Sequence, residues 1–166
     1  MIADLVEYIT SEELLKGDTE PVYRIKKAVA ARDLQKIADN TLEIIRISGY
    51  SLPSRQPIEE CLQNIVQHAS GIESSIAYYL MDDRLVGIYS TDGRDFLPAL
   101  RKSEKQAKMS GEEFRELVRK KDRSQVHLGM RYVFLGSSRL GFVDYKGSYQ
   151  PKQLAFFAEH ELKRNK

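Results

Sequence analysis

The feature that most constrains the fold of this sequence is an apolar helical face between residues 58 and 69. Its members recur at intervals of three and four, which matches the turn of an α-helix: Ile58, Cys61, Leu62, Ile65, Val66 and Ala69. Gly71 follows, where such a helix would end. A helix with one apolar face needs a second layer to cover that face. The chain must therefore supply a sheet or further helices against it.

Runs of β-branched and aromatic residues predict that the second layer is a sheet. Residues 75–81 (SIAYYLM) and 85–89 (LVGIY) flank the turn-forming residues 82–84, which indicates a β-hairpin. A second hairpin is predicted from residues 131–135 (RYVFL) and 140–145 (LGFVDY), with a further short strand at 125–128. We therefore predict an α/β protein of the α+β type, in which helices flank a central antiparallel sheet of four or five strands.

Three more helices are predicted after the first hairpin. Residues 95–108 and 111–121 cross between the two hairpins, and Ser110 and Glu113 occupy the positions of a capping box for the second of these helices. The last helix is predicted to begin at Pro151. Its apolar face consists of Leu154, Phe157, Ala158 and Leu162.

An approximate helical stripe also runs through residues 19–48, between the start signals Thr19 and Pro21 and the stop signal Gly49. It predicts one long helix, or two helices with a bend near Arg32. A helix of about 30 residues spans roughly 45 Å, which exceeds the width of the rest of the domain. This overhang favours a two-fold homodimer, with packing against the acidic segment 1–16 as the intramolecular alternative.

The segment 49–57 is rich in proline, glycine and serine, a composition typical of a connector. We expect it to separate an N-terminal helical dimerisation region, residues 1–48, from an α/β domain, residues 58–166.

Composition excludes several classes of protein. The 166 residues are 42% hydrophobic and 30% charged, which is typical of a globular chain rather than a disordered one. The net charge of +2 gives no strong indication of a nucleic-acid or membrane partner. A single cysteine, Cys61, forms no internal disulfide, and no signal peptide is apparent, so we expect a cytoplasmic protein.

The predicted order of elements after residue 57 resembles that of the GAF and PAS sensory domains, and more loosely that of the profilin-like roadblock domains. The closest likeness is residues 139–162 (RLGFVDYKGSYQPKQLAFFAEHEL), which resemble the strand, polar loop and helix at the end of a GAF domain. The resemblance covers about residues 57–163. It implies a non-enzymatic regulatory or sensory module, without a cofactor, that acts as a homodimer and binds a small ligand or a protein partner.

The resemblance also implies a cavity between the sheet and residues 94–128. We expect five residues near that cavity: Tyr79, Tyr89, Phe96, His127 and Arg131. The guanidinium of Arg131 would suit an anionic ligand, and a histidine such as His127 changes its charge near neutral pH.

The rival hypothesis is a protein that acts on nucleic acid. Asp144 and Lys146 stand at a strand end as the Asp-x-Lys half of a restriction-type nuclease motif, in which the carboxylate binds Mg²⁺ and the lysine orients the attacking water. Residues 125–139, where a second metal-binding carboxylate would stand, contain no Asp or Glu. A solvated strand end therefore accounts for the motif better than a catalytic pair does.

A simple DNA or RNA binder would instead use residues 94–124, which carry ten basic and six acidic side chains. The simpler interpretation of this run is a solvated helical face. The three histidines, at positions 68, 127 and 160, lie on separate predicted elements without ligand spacing, so no metal site is predicted.

Overall fold

The computed structural model describes residues 3–16, 19–69, 71–91, 97–120, 128–145 and 154–165. The strands are β1 (Leu5–Thr10), β2 (Tyr23–Ala28), β3 (Tyr50–Ser51), β4 (Glu73–Met81), β5 (Arg84–Thr91), β6 (Arg139–Asp144), β7 (Ala155–Glu161) and β8 (Lys163–Arg164). The helices are α1 (Ser11–Leu15), α2 (Leu34–Ile47), α3 (Gln56–His68), α4 (Leu97–Ala107), α5 (Gly111–Lys120) and α6 (Leu128–Gly136), and a 3₁₀ turn at Ala31–Asp33 precedes α2.

Six of the strands form one mixed sheet in the order β1-β6-β7-β5-β4-β2. β1 runs parallel to β6, and the other neighbouring strands are antiparallel. β3 and β8 form a separate two-stranded ribbon. The predicted α+β class is therefore confirmed, whereas the finer prediction of a purely antiparallel sheet of four or five strands is wrong.

The two faces of the six-stranded sheet are covered differently. One face, called here the helical face, packs against α2, α3, α4 and α6 and holds the larger core. The opposite face, called here the α1 face, holds a smaller core with Leu14 and Leu15 of α1. None of the helices in the described part of the chain is long and apolar enough to span a membrane.

The first predicted hairpin is confirmed as β4 and β5, which pair from Ser74–Thr91 to Met81–Arg84. The helical face predicted for residues 58–69 is also confirmed, because α3 buries Ile58, Cys61, Leu62 and Ile65 in the main core. α4 and α5 match the two predicted crossover helices. Ser110 caps α5 as expected, since its Oγ accepts a hydrogen bond from the backbone N–H of Glu113 at 3.1 Å.

The strand predicted at residues 131–135 is wrong, because this segment lies in α6. Three side chains, Met130, Val133 and Phe134, are buried at helical spacing, and α6 packs against α3 and α4. Tertiary packing thus overrides the β-propensity of an aromatic, β-branched segment. Of the candidate strand at 125–128, residues 125–127 lie outside the described residues, and residue 128 begins α6.

The predicted C-terminal helix at residues 151–162 is also wrong, because residues 155–161 form β7. β7 lies between β6 and β5, so both of its edges are paired, and its two faces enter the two cores of the sheet. Phe156 and Ala158 enter the main core while Ala155 and Phe157 enter the smaller one. A strand buried on both faces has no polar alternation, and its apolar residues then fit a helical pattern equally well. The helix that the GAF resemblance implies here is therefore absent from residues 155–161.

The long helix predicted over residues 19–48 is correct only in its second half. Residues 23–28 form the edge strand β2, in which half-buried Tyr23 and Ile25 alternate with exposed Arg24 and Lys26. The helical part, α2, has 14 residues and a length of about 21 Å. The overhang that favoured a homodimer is thus not present, and the homodimer stays a prediction. Residues 1–48, expected to be a separate helical region, instead contribute both edge strands of the sheet.

We predict that Gly141→Ala destabilises the sheet at the parallel pair of β1 and β6. A Cβ at this position would overlap the backbone carbonyl of Val6 on β1, so the two strands would have to separate. The free energy of unfolding, measured with urea, should fall by about 2 kcal/mol or more. Gly111→Ala is the matched control, because a Cβ there meets only the flexible end of Arg115 at 4.0 Å. Equal stability of the two variants would contradict the β1–β6 pairing.

Candidate functional site

The residues predicted to share a cavity are not brought together by the structure. Tyr79 pairs with Val86 and Tyr89 pairs with Ile76 across the hairpin, and this register turns the two tyrosines to opposite faces of the sheet. Tyr79 lies in the α1-face core and Tyr89 in the helical-face core. Phe96 and His127 lie outside the described residues. The expected shared cavity therefore does not form around Tyr79 and Tyr89.

Tyr89 belongs to a buried polar cluster in the main core. Its hydroxyl lies 3.0 Å from that of Tyr78, and its ring stacks on Phe156 with the centroids 5.9 Å apart. Burial raises the pKa of the neighbouring Cys61 thiol to about 12, so this cysteine is held as the unreactive thiol. Gly87 makes room for the cluster, since a Cβ there would lie 2.7 Å from the Tyr89 hydroxyl. These groups stabilise the core rather than face a ligand.

Tyr79 and Arg131 also have structural partners. The hydroxyl of Tyr79 lies 2.5 Å from that of Tyr145. Nη1 of Arg131 donates to the carbonyls of Gln106, Ala107 and Met109, at 2.9, 3.2 and 3.1 Å. These carbonyls end α4, where a cation compensates the helix dipole. Arg131 thus joins α6 to the end of α4, and that nitrogen is already occupied.

Asp144, the residue of the alternative nuclease hypothesis, anchors the first turn of α1. Its carboxylate accepts hydrogen bonds from the backbone N–H of Ser11 at 2.7 Å and from the Tyr8 hydroxyl at 2.9 Å. The bond from Ser11 is the main reason why the pKa of Asp144 is lowered. Lys146 lies outside the described residues. Within the described part of the chain, no three His, Cys, Asp or Glu side chains converge as a metal site would require.

The basic run 94–124 is extensively paired where the structure describes it. Arg101 binds Glu7 at 2.7 Å and Lys108 binds Asp4 at the same distance. Arg119 and Lys120 both lie near Glu116 within α5. These exposed pairs are the pattern of a solvated helix surface rather than of a phosphate-binding patch.

The structure instead shows a pocket that the sequence did not predict, at the C-terminal end of α6. Its volume is about 570 Å³, and three separate parts of the chain line it. These parts are residues 3–4 before β1, residues 52–57 between β3 and α3, and residues 135–138 after α6, with Glu161 of β7 at one side. Because β3 pairs with β8, residues 52–57 are held next to the end of β7.

Local geometry fixes the shape of this pocket. Gly136 ends α6 against Pro57, and a Cβ on Gly136 would clash with the proline ring. Ser138 is locked in place, because its N–H and its hydroxyl both donate to the Glu159 carbonyl, at 2.8 and 3.0 Å. Ser137, between them, is thus held by neighbours on both sides. In the sequence it falls between residues 131–135 and 140–145, the two strands predicted for the second hairpin, where a hairpin has its turn.

Ser137 is the informative residue of the pocket. It is only 6% exposed, it lines the cavity, and its Oγ has no hydrogen-bond partner among the described residues. A buried hydroxyl without a partner costs about 1–3 kcal/mol. A polar ligand in the pocket would offset this cost.

His160 lies beside this region, almost fully buried. Its Nδ1 lies 3.2 Å from the carbonyl oxygen of Gly136. A carbonyl only accepts hydrogen bonds, so Nδ1 carries the proton and Nε2 is left as an acceptor. Nε2 has no partner among the described residues. Burial lowers the pKa of His160, which keeps the ring neutral.

The pocket wall combines apolar and acidic groups. Leu52, Pro53, Pro57 and Leu135 form the apolar part, and the acidic residues are Glu161 and Asp4, of which Asp4 is paired with Lys108. Among the described residues that line the pocket there is no lysine or arginine. The wall therefore favours a neutral or cationic ligand with an apolar body over an anion, which reverses the expectation based on Arg131.

The tyrosine cluster generates a prediction about stability. Tyr89→Phe should leave the buried Tyr78 hydroxyl without this partner and lower the free energy of unfolding by about 1–3 kcal/mol. The double variant Tyr78→Phe/Tyr89→Phe removes both hydroxyls, so it should lose clearly less than the sum of the two single variants. The double-mutant cycle consists of the wild type, the two single variants and the double variant, and urea unfolding measures the free energy of unfolding of each. Strict additivity would show that the two hydroxyls do not interact.

A second prediction concerns the dependence of stability on pH. Burial lowers the pKa of His160 in the folded protein, whereas in the unfolded chain it titrates near 6.5. Above pH 6.5, His160 is unprotonated in both states, so it does not make the free energy of unfolding depend on pH. Below it the unfolded state gains a proton that the folded state does not take up, so stability falls by up to about 1.4 kcal/mol per pH unit.

His160→Asn should remove this contribution while keeping a donor for Gly136. Unfolding free energies of both proteins between pH 7.5 and 5 provide the measurement. Parallel pH profiles of wild type and variant would contradict the buried, neutral state of His160.

Comparison with known proteins assigns no function to this site. No protein-family model, curated protein or solved structure matches the chain. The resemblance to GAF and PAS domains thus stays an expectation, and the function has to be argued from the geometry.

Proposed function

We propose that this chain is a non-enzymatic regulatory module that binds a small ligand in the pocket at the end of α6. The observation that carries the proposal is the Ser137 hydroxyl, which lines the cavity while buried and without a partner. Buried polar groups in folded proteins nearly always have hydrogen-bond partners. A ligand that donates a hydrogen bond to Ser137 Oγ, or accepts one from it, would supply the missing partner.

The neighbouring groups support binding rather than catalysis. A serine nucleophile needs a general base within hydrogen-bond distance. Ser137 Oγ and His160 Nε2 both have no partner among the described residues, so they are not bonded to each other. The buried histidine is neutral and already uses Nδ1 to bind Gly136. The pocket thus offers recognition groups without an activated nucleophile.

The chemistry of the wall supports a ligand class. An apolar body would lie against the leucines and prolines, and a hydroxyl or amine would reach Ser137. The carboxylate of Glu161 would favour a positive charge at the rim, whereas that of Asp4 is already paired with Lys108. A small amine or amino alcohol with a hydrocarbon body combines these properties.

The way in which the pocket is assembled supports a regulatory role. It joins the N-terminal residues 3–4, the segment 52–57 and the end of α6, which are distant in sequence. A ligand that contacts all three would stabilise their arrangement in proportion to its occupancy. A partner protein that contacts these segments would then respond to the ligand. A homodimer and a cytoplasmic location, both predicted from the sequence, remain parts of this proposal.

The test uses Ser137→Ala and a panel of small amines and amino alcohols, beginning with cyclohexylamine and 2-aminocyclohexanol. Ligand-observed NMR should detect binding to the wild type. Binding should weaken about tenfold in the variant, which loses one hydrogen bond. Without ligand, the variant should be as stable as the wild type or more stable, because a buried unpaired hydroxyl has been removed.

Ile47→Ala is the control, since Ile47 is an exposed residue of α2 outside the pocket lining. It should bind like the wild type. The proposal is wrong if no compound of the panel binds, or if Ser137→Ala binds equally well. A variant that is strongly destabilised without ligand would likewise show that Ser137 has a structural partner.

A further inference from the structure

The outer edge of β2 is a second surface with a defined chemistry, separate from the pocket. β2 is the last strand of the six-stranded sheet, and no described strand pairs with its outer side. Four of its six residues, at positions 24 and 26–28, are exposed. An edge strand presents free backbone N–H and C=O groups, to which another extended segment can bind.

The two edges of the sheet differ in this respect. At the opposite edge, the backbone N–H of Leu5 in β1 donates to the Glu104 carboxylate of α4 at 2.6 Å. Arg101 of α4 also pairs with Glu7 of β1, and Lys108, which follows α4, pairs with Asp4 just before β1. The β1 edge is therefore occupied by the chain itself, whereas no described strand pairs with the outer side of β2.

The charges of β2 indicate what kind of segment would bind. All of its charged side chains are cationic, namely Arg24, Lys26 and Lys27, and Lys27 is paired with Asp33 of the adjoining 3₁₀ turn at 3.2 Å. Arg24 and Lys26 pair with Ala77 and Ser75 of β4, which places them on the α1 face. Tyr23 and Ile25 alternate with them and pack against the main core. A segment of alternating acidic and apolar residues would match both faces.

The same charges disfavour a second copy of this chain at the edge. Pairing of β2 with β2 of another protomer would bring the α1-face cations Arg24 and Lys26 of both copies together, and like charges on facing strands are destabilising. Pairing with β1 of another protomer would require the contacts of α4 with β1 to break. A partner with an acidic extended segment is the occupant that avoids both costs.

We propose that the β2 edge binds an extended acidic segment of a partner protein by strand addition. Acidic side chains would lie beside Arg24 on the α1 face, while apolar ones would extend the core beside Tyr23 and Ile25. Backbone hydrogen bonds would supply affinity, and the charges would supply specificity.

The test measures the binding of short labelled peptides to the full-length protein by fluorescence anisotropy. The probe is a capped octapeptide of alternating glutamate and valine, and a peptide of alternating lysine and valine is the charge control. A third peptide has the same side chains as the acidic probe but is N-methylated at every residue. It therefore lacks the backbone N–H groups that pair with a neighbouring strand. The acidic peptide should bind at least tenfold more tightly than either control, and the amide resonances of residues 23–28 should shift on binding.

Arg24→Glu should weaken the binding of the acidic peptide at least tenfold. Arg32→Glu is the matched control, because Arg32 is an exposed arginine in the 3₁₀ turn next to β2 and the change in net charge is the same. Equal binding of the methylated and unmethylated peptides would show a purely electrostatic contact and overturn the proposal. The proposal would also be overturned if the acidic peptide did not bind, or if Arg24→Glu and Arg32→Glu weakened its binding equally. Pairing of β2 with a second copy of the chain would overturn it as well.

Discussion

The pairing of β7 with both of its neighbours is the interaction on which the rest of the structure depends. β7 joins the hairpin of β4 and β5 to the pair of β6 and β1, which come from distant parts of the chain. Besides the backbone ladder, the buried Glu159 of β7 accepts hydrogen bonds from Arg84 of β5 at 2.6 Å and from Arg139 of β6 at 3.0 Å. A buried carboxylate is tolerated because two guanidinium groups compensate it, and its loss would leave both cations without that partner. The sheet is thus fixed at its centre by backbone and side-chain bonds together.

The position of β7 also determines where the candidate surfaces lie. Its carbonyl at Glu159 holds Ser138, and its His160 holds Gly136, so the end of α6 is anchored directly to the central strand. This anchoring creates the pocket and keeps Ser137 in its wall. The β2 edge lies three strands away from β7 in the sheet. The ligand and the extended segment that we propose would therefore contact different residues of one sheet.

The sequence predicted α3 well because only one face of this helix is buried, so its apolar positions recur with the helical period. The hairpin of β4 and β5 is buried on both faces, and it was recognised instead from its β-branched and aromatic runs on either side of the turn at 82–84. Residues 131–135 and 155–161 were misassigned for opposite reasons. In α6, aromatic and β-branched residues suggested a strand although Met130, Val133 and Phe134 are spaced as in a helix. In β7, burial of both faces left no alternation by which a strand could be recognised.

The candidate site was less predictable, since a pocket depends on how distant segments meet. We predicted that Tyr79 and Tyr89 line one cavity. The register that pairs Tyr79 with Val86 instead directs the two side chains to opposite faces of the sheet. The sequence Gly136-Ser137-Ser138 has the composition of any turn. Only the contact of Gly136 with Pro57 and the anchoring by β7 turn it into the wall of a cavity. Its one sequence signal, two adjacent serines after a helical glycine, is too common to indicate a site.

A crystal structure of the protein as purified, at a resolution that shows ordered water, would reveal whether the pocket at the end of α6 holds a ligand. We expect a molecule other than water in the pocket, or an ordered water network after its loss, with a polar atom within hydrogen-bond distance of Ser137 Oγ. The wall formed by Pro57, Leu135 and Gly136 should enclose it. A Ser137 hydroxyl bonded to another part of the chain, with that segment filling the cavity, would contradict the claim that this is a ligand site.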